Sequence, residues 1–267
     1  MKKYLSFFRL RLLAGLQYRT AALAGMATQF FWGFMEIMVF HAFYKADPTA
    51  YPMTMEATAA YVWLQQALLA FFGAWMFEGE ILDTISGGNL AYELCRPIRI
   101  YDMWFARSVA NRLSKAILRC VPILVVAAFL PRGYGLGLPA SFPAFLCFLG
   151  SLTMGLFVMV ALNMLVYGSC LYTISGDGMR ILFASLSEFL AGQVIPLPFF
   201  PEKVQRILEL NPWASMGNVP FRIYGGDLAG AGMLRAMALQ AFWLVILVVL
   251  GKLLCAGGEK RAVVQGG

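Results

Sequence analysis

Six largely apolar stretches run along the chain, near 21–44, 56–77, 104–130, 142–170, 179–198 and 232–255. A helix needs about 20 such residues to cross the hydrocarbon of a bilayer, so each stretch is predicted as a spanning helix. Residues 2–19 carry a different pattern. Leu5, Phe8, Leu12 and Leu16 recur at three- and four-residue spacing, with Lys2, Ser6, Arg9 and Gln17 opposite. A basic amphipathic segment of this kind lies in the headgroup plane, although Arg11 interrupts its apolar stripe. The expected architecture is an all-α integral membrane protein: six transmembrane helices preceded by an N-terminal interfacial amphipathic helix, in one domain over 1–267.

Three places break the pattern. The third apolar stretch carries Arg112, Lys115 and Arg119 on one face. These side chains either snorkel to the headgroups or line a wet cavity, and the sequence leaves both open. Between 193 and 230 five prolines (Pro196, Pro198, Pro201, Pro212, Pro220) divide an apolar segment into short pieces. There "FPEKVQRILEL" keeps helical spacing, with Val204, Ile207 and Leu208 on one side. Short re-entrant outer helices between spans five and six are expected, since such backbone survives beside lipid only where protein buries it or water reaches it. The third place is the loop 78–97, where Glu78, Glu80 and Asp83 stand among Ile81, Leu82 and Ile85. The acids sit where the dipole of a short helix favours them, Gly87-Gly88 ends that helix, and "NLAYELCRP" turns the chain back.

Composition narrows the class. The chain is 60% hydrophobic and 13% charged, against about 25% charged in soluble domains. Its net charge of +7 does not indicate nucleic acid, because the basic residues flank apolar stretches instead of forming a separate patch. With the N-terminus inside, fifteen of the 21 Lys and Arg residues fall on the inner side and six on the outer. Both termini are therefore expected in the cytoplasm. Arg9 and Arg11 would interrupt the apolar region of a signal peptide, so cleavage is not expected. Five cysteines without metal spacing and a single histidine argue against a zinc site or a disulfide framework. No catalytic or metal-ligating set is assigned.

The loop 78–97 also contains Ile85-Ser86-Gly87-Gly88-Asn89, close to the LSGGQ signature with which ATP-binding cassettes grip nucleotide. A cassette also needs GxxxxGK[ST] to cradle phosphates, and the sequence has none; its Gly251-Lys252 pair ends the last apolar stretch. The chain is not expected to hydrolyse ATP. What it does resemble is the permease subunit of ABC transporters of the type-2 exporter class. "EGEILDTISGGNLAYELCRPI" is similar to that family's segment after its second span, an acidic short helix followed by Gly, Leu and Arg-Pro. "GQVIPLPFFPEKVQRILELNPW" is similar to its Gly–Pro–Phe-Pro–Pro pattern. The resemblance implies a single permease domain and a bacterial inner-membrane location. It also implies pairing with a second permease copy or a homologous permease, and docking of two soluble ABC ATPase subunits that hold ATP and Mg. On that resemblance 78–97 is the inner coupling loop, with Glu78, Glu80, Ile81, Asp83, Ile85, Gly88, Arg96 and Pro97 facing the ATPase.

Within the apolar stretches, Glu36 and Glu188 are the substrate-path candidates. Burying a carboxylate in lipid costs at least about 2.5–3.5 kcal/mol, so both should face protein or water. A cavity holding them would attract amphipathic cations such as drugs. His41 and Asn163 are expected to hydrogen-bond between helices. An ion-gradient-driven secondary transporter, with Glu36, His41 and Glu188 as a proton relay, is the alternative, although no internal repeat of the kind common in such carriers is visible. A membrane enzyme acting on lipid-linked sugars ranks last, because no paired carboxylates or nucleophile–base set shares one face.

Overall fold

The computed structural model describes residues 2–17, 19–47, 51–173 and 176–261. Among them the chain forms twelve α-helices and one 3-10 turn. In order these are α1 Lys2–Gly15, α2 Arg19–Ala46, α3 Met55–Ala67, α4 Leu69–Phe72, α5 Gly79–Ser86 and α6 Leu90–Leu94. There follow α7 Ile100–Phe129, α8 Phe142–Cys170, α9 Asp177–Leu190, the 3-10 turn Leu197–Phe199, α10 Glu202–Glu209, α11 Asn218–Gly225 and α12 Gly230–Glu259.

The expectation of six transmembrane helices is corrected. Among the described residues three helices are long and apolar enough to cross a membrane: Ala22–Ala46 within α2, then α8 and α12. The apolar stretch at 56–77 does not run as one helix. α3 stops at Ala67, Leu68 leaves helical geometry, and α4 adds one turn before Gly73 ends it. The Arg112 guanidinium enters this break from α7 and donates to the carbonyls of Ala70, Phe71, Gly73 and Met76 at 2.8–3.2 Å. Freed backbone carbonyls in a dry interior must be bonded, and here one side chain does it. α7 is long enough to span, but its middle carries Arg112, Lys115 and Arg119.

α9 has 14 residues, so the segment after it is not a re-entrant hairpin between a fifth and a sixth crossing. The prolines do divide that segment, into the 3-10 turn, α10 and α11. On α10 Leu208 is buried, whereas Val204 and Ile207 are exposed. α11 packs against α3 and α8 with Phe221 and Ile223 in the core. Its Arg222 bonds Asp227 (Nε to Oδ2, 2.5 Å) and Glu209. Burial works against the Arg222 charge, yet the two carboxylates more than offset it and raise its pKa above the ordinary arginine value.

The core is assembled from helices distant in sequence. α8 lies along α12, α11 packs on α8, and α3 packs on α11. A polar stitch fixes their register: Ser151 Oγ donates to Gln240 Oε1 at 2.8 Å, and Gln240 Nε2 donates to the carbonyls of Ser151 and Ser215. All members are buried, and each has its partner. Trp63, Trp104, Tyr61 and Tyr167 are the largest fully buried side chains. α1 packs along α7 through a face of Tyr4, Phe8, Arg11 and Gly15, leaving Leu5 exposed. Arg11, which spoils the stripe in the sequence, thus faces protein. Residue 18, at the end of the expected interfacial helix, lies outside the described residues.

Candidate functional site

α5 is pinned on one side and bare on the other. Ile81 is fully buried. The Glu78 carboxylate accepts a hydrogen bond from Asn111 Nδ2, and the Glu78 backbone N–H donates to the Tyr167 hydroxyl at 2.8 Å. Glu93 of α6 is also buried; it accepts from Trp104 Nε1 and lies 3.9 Å from the Arg107 guanidinium. Glu80 pairs with Arg11 at 3.0 Å and with Arg107, so it joins α5 to both α1 and α7. Gly87 closes the helix through its N–H to the Asp83 carbonyl, and Gly88 follows at φ +71°, a conformation that costs a residue with a Cβ about 1–2 kcal/mol.

The eight residues expected to face an ATPase therefore separate. Asp83, Arg96 and Pro97 are exposed, and Ile85 and Gly88 are half-buried. Glu80 is exposed but already paired. Glu78 and Ile81 point inward as anchors, and no docking partner reaches them without displacing the core. Sequence reasoning missed the anchor Glu93, which only its burial identifies. It also missed a groove of ≈ 230 Å³ beside α5, lined by Leu82, Asp83 and Ser86 and, from the α8–α9 connection, Cys170, Asp177 and Arg180.

A second feature lies among α2, α3, α4, α7 and α9. Glu36 and Glu188, 152 positions apart in sequence, line one cavity of ≈ 460 Å³ together with Trp32, Trp75 and Arg119. Gln66 Nε2 donates to Glu36 Oε1 at 3.3 Å. The Arg112–Lys115–Arg119 stripe thus has three fates: Arg112 caps the α4 break, Lys115 is exposed, and Arg119 reaches the cavity. His41 bonds not to another helix but to the turn between α7 and α8, with its Nε2 2.9 Å from the Tyr134 hydroxyl. It does not line the cavity of the two acids, which separates the members of the suggested relay. Asn163 departs from expectation: it is buried, and among the described residues neither of its amide atoms has a hydrogen-bond partner.

Neither comparison with curated proteins nor comparison with solved structures gives a match. A family model for ABC-2 family transporter proteins matches residues 30–266. The matched region takes in Glu36, all of α5 and α6, and the rest of the cavity wall from α3 to Val194. By that match the chain belongs to the ABC-2 transporter family, the membrane subunits of ABC transporters, which are permeases without a catalytic site of their own.

Proposed function

We propose that this chain forms part of the translocation path of an ATP-driven exporter and is worked by soluble ABC ATPase subunits that dock on the face carrying α5. The construction of α5 carries the reading. One side is locked into α7 and α8 by Ile81 and Glu78, with α6 behind it held to α7 by Glu93, while Asp83 and Ser86 are exposed. A push on the free side is passed to the bundle, because the anchored side cannot slide without breaking buried hydrogen bonds. The separate subunits hold ATP and Mg. A second copy, or a homologous permease, completes the path against α2 and α9, whose apolar side chains Phe31, Met35, Leu186 and Phe189 are exposed; the remaining apolar surface meets lipid.

The Glu36–Glu188 cavity is the substrate path on this reading. Two carboxylates in a cavity walled by helices, where the effective dielectric is below that of water, attract a positive charge more strongly than they would in bulk water, and the Trp32 and Trp75 faces add roughly 0.5–2 kcal/mol for a cation. The cargo is an amphipathic molecule with a cationic group, such as a drug or dye. The protein works in a bacterial inner membrane with both termini on the cytoplasmic side.

The decisive experiment measures ATP hydrolysis by the purified chain in nanodiscs, alone and with a co-purified cassette subunit. No hydrolysis alone, and hydrolysis with the cassette subunit that rises on adding the permease, is the expected result. Hydrolysis by the chain alone, free of contaminants, would sink the proposal.

A further inference from the structure

The cavity is not lined by acids alone. Arg119 enters it from α7, and among the described residues its buried Nε has no hydrogen-bond partner and no carboxylate lies within ion-pair distance of it. Arg107 also has an unpartnered Nε, but its guanidinium is ion-paired, as is that of Arg222, and Arg112 is hydrogen-bonded; Arg119 has neither kind of partner among the described residues. Arg119 fits where it does because α2 has a glycine there. A Cβ added at Gly25 would stand 2.7 Å from the guanidinium carbon. One turn further along α2, Gln29 lines the same cavity. It is 3% exposed, and neither its amide oxygen nor its amide nitrogen has a partner.

Among the described residues the Gln29 amide and the Arg119 Nε are buried without partners, and the half-buried Arg119 guanidinium borders the same cavity; buried polar groups of this kind call for a partner from the cavity. The group that satisfies both is an anion, since a carboxylate or phosphate accepts the forked guanidinium donors and the amide N–H together. Glu36 cannot be that partner. It lies eleven residues from Gly25, or about 16 Å along the axis of α2 at 1.5 Å per residue, and it already accepts from Gln66. Between the two ends the α2 stripe carries Trp32, which supplies an apolar face. The cavity is therefore cation-accepting at Glu36, apolar at Trp32 and anion-accepting at Arg119.

We propose that the cavity takes a zwitterionic amphiphile: its anionic group on Arg119 and Gln29, its ammonium with Glu36, and its apolar part along Trp32. This deepens the reading of the cavity as the substrate path and rests on it. The ligand is either a soluble amphiphile or the headgroup of a bilayer lipid, which share this chemistry.

The test uses the whole chain in phosphatidylglycerol nanodiscs. The probe is a dansyl-labelled dodecyl sulfobetaine, detected by energy transfer from tryptophan. Unlabelled dodecyl sulfobetaine, dodecyltrimethylammonium and dodecyl sulfate compete with it. The sulfobetaine should displace the probe at about tenfold lower concentration than the trimethylammonium compound, a difference one charge-assisted pair supplies. Arg119→Gln should abolish that preference without weakening the cation, Arg119→Lys should keep most of it, and Gly25→Val, which crowds the guanidinium, should reduce it. Equal potency of zwitterion and cation on the unaltered chain, or a preference that survives Arg119→Gln, overturns the inference while the substrate-path reading stands. Failure of every competitor, with Glu36→Gln also without effect on probe binding, overturns both. Replacing half of the phosphatidylglycerol by phosphatidylethanolamine separates the sources. Weaker probe binding identifies bilayer lipid as the ligand, and unchanged binding a soluble one.

Discussion

Arg112 illustrates how a single side chain decides what an apolar stretch becomes. Its guanidinium gathers four carbonyls from the end of α4 and the turn after it, so the chain can leave helical geometry inside the core. Replacing it by methionine keeps the bulk and removes the donors. Each stranded carbonyl then costs about 1–3 kcal/mol, and Arg112→Met should lower the thermal midpoint of the detergent-solubilised protein sharply or prevent its accumulation. Arg112→Lys should fall between, because an ammonium offers fewer donors and no fork. A methionine variant that melts like the parent would show that the carbonyls find other partners. The basic stripe is legible in the sequence, but its meaning is not. The groups that Arg112 serves lie 36 to 42 residues earlier, and no local pattern announces them.

A whole helix can be legible while its orientation is not. For α5, the acidic start, the apolar spacing and the Gly87-Gly88 stop mark the element correctly. Which acid faces inward depends on Asn111 and Tyr167 arriving from α7 and α8, and that contact set is tertiary. The distinction changes how coupling should be tested. Glu80→Lys would bring an ammonium against Arg11 and Arg107, whose guanidinium groups it now neutralises, and should loosen α1 and α5 as well as any docking. Asp83 is exposed and forms no ion pair among the described residues, so Asp83→Lys changes charge with little structural cost. It should leave the unfolding free energy within about 0.5 kcal/mol of the parent and weaken ATPase binding, mostly through a slower on-rate at low salt. If Asp83→Lys binds the cassette subunit with unchanged kinetics, α5 is not the docking element.

At the scale of the molecule, the apolar runs overstate the number of spans for a physical reason. α3 is apolar because most of it is buried among other helices, and hydropathy does not distinguish a protein core from lipid. α2, α8 and α12 carry the same signal with the length to cross. Sidedness is better argued from contacts than from counting. Asp102, at the start of α7, is reached by the Tyr4 hydroxyl of α1 at 3.5 Å and by Lys252 Nζ near the end of α12 at 3.2 Å, while Lys3 bonds the Pro97 carbonyl behind α6. Both described chain ends therefore gather at the end of the bundle that carries α5, the end that the distribution of basic residues along the sequence predicts to be cytoplasmic. Single cysteines placed at Ser86 and at Lys260 in a background without the five native cysteines should share one behaviour. Both should resist a membrane-impermeant maleimide in intact cells and react after permeabilisation. Cysteine at the exposed Pro201, at the N-terminus of α10, should react in intact cells. Labelling of Lys260→Cys but not Ser86→Cys from outside would separate the two ends, and labelling of Ser86→Cys from outside would put α5 beyond the reach of a cytoplasmic ATPase.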